Sequence, residues 1–383
     1  MAKTNHMDVY ELFLWLVRLG IGTGTVNGSR FTVLGSVDLE ALKALADEQG
    51  LAAVVLDGLN LLNSQPTTVY QLSTLNPQLK LEWIGEVLQG ESVYAVQHKA
   101  AVEMAQLFQA NTIKTYVLKG EVVAECYPKP NHRFSSDMDC FLINDNLNDS
   151  NNKWISHEEA WKLGNSLIAE KGYKVETIHY KNSTFYLPGL MVENHQFLTP
   201  FRGNKRLKAL EKLFQGWMRE DEGNDMIEGT GLYRPPLMVS TLFLIEHAYS
   251  HFLHEGLTWR HVLDWVMFKR KHQSEIDWGA LNRYVDEFGF RSFFDSFEHL
   301  GGYLLGEVPD VELSQLDRMM LADIWSPLDL HPDGVRDFKG KLNLAGNTWR
   351  ARWKYRHFTD MNWIQALWIQ VRGFLFEKNP TLD

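Results

Sequence analysis

Residues 116–143 read Y-V-L-K-G-E-V-V-A-E-C-Y-P-K-P-N-H-R-F-S-S-D-M-D-C-F-L-I: one apolar run ends at Gly120, and a second carries two aspartates one residue apart, Asp137 and Asp139. In a strand over residues 138–143, alternation sends both carboxylates to one face and Met138 and Cys140 to the other. Neighbouring acids repel unless a cation lies between them. Hard oxygen ligands on a rigid strand suit Mg²⁺ (or Mn²⁺), which keeps several waters and shares its site with substrate phosphates.

The same facing pattern recurs in residues 190–198, L-M-V-E-N-H-Q-F-L, where alternation places Glu193 and His195 together. Strand and turn signals precede it: a strand over 174–180, a break at Lys181-Asn182-Ser183, a strand over 184–187, then Pro188-Gly189. A third acid beside a D-x-D strand completes the carboxylate set of a two-metal phosphoryl or nucleotidyl transfer site. Glu193 is then a third metal ligand or the base for an incoming hydroxyl. His195 belongs either to that site or to the core as a satisfied, partly buried histidine. Lys119 and Arg133 flank the acids, and either grip phosphate oxygens or neutralise the aspartates. Ser135 and Ser136 donate to a phosphate or cap the turn before the strand; Ser136 is the phosphate-side candidate.

Taken in order, these pieces resemble the nucleotidyltransferase superfamily, and more closely its bacterial branch of uncharacterised nucleotidyltransferases. The residues that carry the likeness are Leu118-Lys119-Gly120, Tyr127-Pro128, Arg133, Asp137/Asp139, Gly172-Tyr173 and Glu193/His195. It continues through His247, His251, Trp259-Arg260, Asp264 and Asp277-Trp278, over roughly residues 40–305. Two departures stand out. Many members place Ser after the glycine where this chain has Glu121, and residues 128–132 lengthen the Gly-to-Asp spacing.

Composition frames the rest. A chain of 383 residues, 45% hydrophobic, can bury a full core. A net charge of −10 gives no bulk attraction to nucleic acid or anionic membrane. The two cysteines, Cys126 and Cys140, read as reduced core residues of a cytoplasmic protein. No run of about 20 apolar residues signals a membrane span.

Along the chain, residues 1–112 read as helical, with helices over 9–19, 38–47, 51–62 and 81–109, the last with a break at Gly90. Asp38 is the expected cap of its helix. Residues 113–200 alternate strand, helix, strand, helix and hairpin. The second helix is expected over 157–171, between a Ser156 N-cap and Gly172 as C′ residue. Residues 201–383 return to helices over 237–254, 259–271, 278–288 and 293–305, with soft linkers at 220–231 and 328–346. The expected fold class is α+β, a small mixed-sheet nucleotidyltransferase core flanked by N- and C-terminal helical regions.

On the helix over 237–254, His247, His251 and His254 fall on one face at i, i+4 and i+7. Three imidazoles with Asp264 invite a zinc site. They equally suit a polar seam in which His247, His251 and Asp264 touch the nucleotide, or a plain interhelical hydrogen-bond network. Residues 349–357, W-R-A-R-W-K-Y-R-H, interleave cations and aromatics, as in a segment that grips RNA, one that lies at a membrane surface, or an amphipathic helix with its rings inward and its cations solvated.

The resemblance implies Mg²⁺-dependent transfer of a nucleoside monophosphate from an NTP to an unknown acceptor. Asp137, Asp139 and Glu193 would hold metal. Lys119, Gly120, Arg133, Ser136, His195, His247, His251 and Asp264 would lie around the nucleotide. The alternatives are a nucleotide- or partner-binding protein without turnover, and an RNA-directed transferase.

Overall fold

The computed structural model describes residues 8–24, 38–63, 77–144, 153–177, 180–221, 223, 225–327, 349–361, 363–365 and 368. It begins with three helices, α1 (Val9–Gly20), α2 (Leu39–Glu48) and α3 (Ala52–Asn63). Asp38 caps α2 as expected, accepting from the amides of Glu40 and Ala41. A 12-residue helix is marginal alone, but α1 buries Leu12, Phe13, Leu14, Trp15, Leu16, Val17 and Leu19. Each contributes roughly 1.5–3 kcal/mol relative to exposure, so packing, not propensity, holds it.

The helix α4 (Pro77–Gln109) is 33 residues long, about 50 Å at 1.5 Å per residue. It joins two cores: Trp83 and Val87 enter the helical core, while Ala100, Ala101, Met104, Ala105 and Phe108 enter the sheet core. The expected break at Gly90 is absent. A Cβ there would meet the Phe134 ring at 2.2 Å, so this glycine seats an aromatic and does not interrupt the helix.

The sheet has six strands among the described residues: β1 (Ile113–Val117), β2 (Asp137–Asn144), β3 (Val175–Glu176), β4 (Asn182–Leu187), β5 (Leu190–His195) and β6 (Leu232–Tyr233). Their order is β3-β4-β5-β2-β1-β6. It is mixed: β2 runs antiparallel to β1 but parallel to β5, and β6 is parallel to β1. The α+β class is therefore the observed one. Between β1 and β2 lie the short α5 (Glu121–Ala124) and a 3₁₀ turn, Pro130–His132. Met138, Cys140 and Leu142 of β2 face the core formed with α4 and α6 (Lys153–Glu170). Phe141, on the opposite face, packs into the helical core.

Beyond that second face lie further helices: α7 (Lys205–Glu220), α8 (Leu237–His254), α9 (Trp259–His272), α10 (Trp278–Glu287), α11 (Arg291–Leu305), α12 (Gln315–Trp325) and α13 (Arg352–Phe358). They share one core with α1–α3. Buried Gln49 ties the two ends together, accepting from the Trp259 amide at 2.8 Å and donating to the Ile324 carbonyl at 3.1 Å.

Several boundaries differ from expectation. α6 begins at Lys153, so Ser156 lies inside the helix and does not cap it, while Gly172 does follow its end with φ +88°. Of the strand expected over 174–180, Val175–Glu176 is a strand, and residues 178 and 179 lie outside the described residues. α7, α12 and β6 were not anticipated. The linker at 328–346 lies outside the described residues. In the tail, Lys354, Tyr355 and Phe358 are buried, with the Lys354 ammonium donating to Asp323 and to the Phe252 carbonyl, both at 2.7 Å. α13 packs inward through Tyr355 and Phe358, but its faces are not sorted as expected: the cation Lys354 is fully buried on Asp323, while Trp349 just before the helix is 54% exposed. Cys126 and Cys140 are buried free thiols. No helix among the described residues is long and apolar enough to cross a membrane.

Candidate functional site

The site begins where β1 ends. The Leu118 amide donates to the Asp139 carbonyl at 2.9 Å, prolonging the ladder past Val117. The chain then turns at Gly120 with φ +80° and ψ −110°, a conformation that a side chain strains. Glu121 follows, 2.8 Å from His98 Nδ1. Burial raises the Glu121 carboxyl above its ordinary value, and His98 opposes the rise.

Parallel pairing of β2 with β5 sets the acids side by side: Asp139 opposite Glu193, Asp137 opposite Met191, Phe141 opposite His195. His195 Nε2 lies 2.7 Å from Asp139 Oδ1 and 3.6 Å from Glu193 Oε2, and Nδ1 lies 3.1 Å from the Phe197 carbonyl. Burial works against the Asp139 charge. The His195 hydrogen bond and the fields of His195, Lys119 and Lys181 outweigh it, holding the carboxyl at about 2. Burial and the neighbouring Asp139 push Glu193 up.

Ligand atoms of Asp139, Glu193 and His195 lie within 4.8 Å of one another, a group that can hold a metal ion. Two carboxylates suit Mg²⁺ or Mn²⁺; the imidazole favours the softer of these. His195 thus sits among the acids, whereas Asp137 stands outside that trio, partly exposed, its carboxylate accepting from Ser135 Oγ at 3.1 Å. Ser136 is exposed.

The flanking cations divide. Lys119 is buried, with Nζ 3.4 Å from His247 Nδ1; burial lowers its pKa, and Asp264 and Asp139 support its charge. Arg133 is spent on Asp264 through a bidentate pair, Nε–Oδ1 2.8 Å and Nη2–Oδ2 2.7 Å. Tyr127 donates to the same carboxylate at 2.8 Å. Burial opposes the Asp264 charge, and Arg133 more than offsets it, lowering the pKa. Arg133 and Asp264 therefore brace each other, and the spare Arg133 Nη1 reaches the Gly120 carbonyl at 3.4 Å.

The histidines also regroup. His247, His251 and His261 bring ring nitrogens within 4.8 Å of one another. His254 lies apart, exposed, with Nδ1 2.9 Å from the Ser250 carbonyl. Since Asp264 is paired with Arg133, the imagined set of three α8 histidines with Asp264 does not assemble. Burial, then Lys119 and neighbouring cations, drives His247 and His261 well below the ordinary imidazole value.

Three features escaped the sequence reading. Lys181, taken for part of a turn, extends its positive field over Asp139, Glu193 and Glu246; the register Asn182↔His195 places it at the end of the acid strands. His261 lies one helix away from the spacing that linked the other two. A cavity of about 400 Å³ opens beside the site, lined among others by Val87, Gly90, Phe134 and Arg260. Tyr94, Gln97 and Ser135 line both this cavity and a narrow neck that reaches Gly120, Glu121 and Asp137.

The family model of uncharacterised nucleotidyltransferases matches residues 35–306, well over half of the chain. The chain belongs to that family. No curated protein and no solved structure matches it. As a nucleotidyltransferase, it has its acid cluster on the two neighbouring strands that the matched region supplies.

Proposed function

We propose that the protein moves a nucleoside monophosphate from an NTP to a hydroxyl or phosphate acceptor, in a Mg²⁺- or Mn²⁺-dependent reaction. The observation that carries this reading is the convergence of Asp139, Glu193 and His195 within 4.8 Å across parallel strands. Asp139, Glu193 and His195 would hold the metal, with Asp137 at the rim. When bound, a divalent ion supplies charge neutralisation for the triphosphate and for the departing pyrophosphate.

The protein's own groups do the rest. Gly120 gives backbone close access to the phosphates, and Lys119 and Lys181 add positive charge beside them. Glu193 keeps 30% of its side chain exposed, and in the alternative role first given to it, base instead of metal ligand, it would take the proton of an acceptor hydroxyl. The freed oxygen attacks the α-phosphorus, and the bond to pyrophosphate breaks. Arg133 and Asp264 act at one remove, holding the Gly120 turn. Two buried free thiols suit a reducing, cytoplasmic setting.

A second reading, nucleotide or partner binding without turnover, draws on Glu121, which lines the neck and stands where the superfamily pattern it resembles has Ser. Calorimetric titration of the four NTPs with Mg²⁺ or Mn²⁺ tests the first reading against an Asp137→Ala/Asp139→Ala variant. Metal-dependent binding lost in the variant supports it; a folded natural protein that binds no NTP overturns it. Tight binding with no pyrophosphate released for any acceptor favours the second.

A further inference from the structure

A line of rings runs from the acid cluster into the helices. His195 meets Phe243 at 6.3 Å between centroids, Phe243 meets His247 at 5.7 Å, His247 meets His251 at 4.4 Å, and His251 meets His261 at 4.8 Å. His247 and His251 stand one turn apart on α8, and His261 lies in the first turn of α9.

The partners of these rings decide where their protons sit. The Thr258 amide can only donate, and it lies 3.2 Å from His261 Nδ1. That nitrogen is therefore an acceptor, and neutral His261 keeps its proton on Nε2. The Lys119 ammonium, also donor-only, lies 3.4 Å from His247 Nδ1 and assigns His247 the same tautomer. His251 differs: its Nδ1 lies 2.7 Å from the Glu255 carboxylate, which accepts, so its proton is on Nδ1. All three imidazoles carry an N–H: that of His251 is given to Glu255, while those of His247 and His261 are on Nε2, and Lys119, Arg133 and Arg260 spread positive charge over His261. A divalent cation needs lone pairs and a negative surround; an oxyanion needs donors and a positive one.

We propose that this end of the site binds an oxyanion, the terminal phosphates of the NTP, through the Nε2–H groups of His247 and His261 and the Lys119 ammonium. The identity of the anion rests on the nucleotidyl-transfer reading; the donor geometry does not. His261 thereby joins the nucleotide site in the place first given to Asp264.

The test is calorimetric titration of inorganic tripolyphosphate, with Mg²⁺, into the natural protein and into His247→Phe and His261→Phe. These variants keep a ring and remove the N–H, and His247→Phe leaves the Thr258–His261 cap intact should His261→Phe fail to fold. The expected result is tripolyphosphate binding that weakens roughly ten- to hundredfold in each folded variant. Unchanged affinity overturns the proposal. So does Zn²⁺ binding by the natural protein, read through visible Co²⁺ bands, that disappears with His261. If metal-dependent NTP binding is lost in Asp139→Asn but tripolyphosphate ignores both histidine variants, the transfer reading stands and this one falls. If no NTP binds yet tripolyphosphate depends on His247 and His261, the reverse holds.

Discussion

Two acid-centred constellations lie close together in this molecule, and they have been resolved in opposite ways. Around Asp264, the Arg133 fork and the Tyr127 hydroxyl supply three donors to one carboxylate. Nothing further is required there, and the knot is structural. Around Asp139, the carboxylate shares its space with Glu193, whose pKa rises because burial and Asp139 both penalise its charge. One imidazole and the fields of two lysines offset part of that repulsion. Similar side chains thus form a brace in one place and an incompletely balanced acid cluster in the other, and the count of local donors makes the difference.

Asp264→Ala should break the brace, leaving Arg133 buried without its partner, at a cost of about 3–5 kcal/mol in urea unfolding. A double Arg133→Met/Asp264→Leu variant should recover most of this, because the unpaired charge is removed along with its partner. Asp139→Asn should act the other way round. It lowers pyrophosphate release about 10²–10³-fold while unfolding shifts far less than in Asp264→Ala. A large stability loss with unchanged activity would reverse the roles assigned to the two constellations.

Gly120 lies between them, its carbonyl on Arg133 and its turn beside Asp137. Gly120→Ala should cost about 1–3 kcal/mol through φ +80° alone, since the nearest atom to a new Cβ is at an ordinary 3.8 Å. Melting curves and NTP titration together show whether that strain reaches the acids.

The smallest effect belongs to a control outside both. His132 lies 2.7 Å from Asp57 and 2.8 Å from Glu91. Burial opposes its charge, but these two acids raise its pKa above 6.5. Its contribution to stability is complete below the unfolded value near 6.5 and is lost as pH rises through the raised folded value. The melting temperature should therefore fall in that window in the natural protein and less so in His132→Gln, with NTP affinity unaltered. The same contacts give residues 128–132 a purpose, because this longer connection pins α3 and α4.

The elements that bear the acids were legible because strand periodicity is local: D-x-D and E-x-H each declare a face within five residues. Their register was not. Parallel pairing that sets Asp139 against Glu193 depends on a connection through α6, β3 and β4, which no window of sequence shows. Distance in sequence also hid the partner of Arg133, which lies 131 residues away, and His261, which belongs to a different helix from the i, i+4 pair. Gly90 misled for a physical reason, since a glycine that breaks a helix and one that seats an aromatic ring look identical in sequence. Lys181 misled likewise, because turn chemistry was the stronger local signal.

The connection between β2 and β5 has a consequence for how the chain folds. Asp139 and His195 are separated by 56 positions, and β5 can join β2 only after that loop is closed, whereas the β4–β5 hairpin is local. The acids therefore meet late, when the hairpin has already settled which residues face which. Repulsion between the two carboxylates falls on a nearly finished sheet instead of a nascent one, so a divalent ion added during refolding should slow unfolding more than it speeds folding.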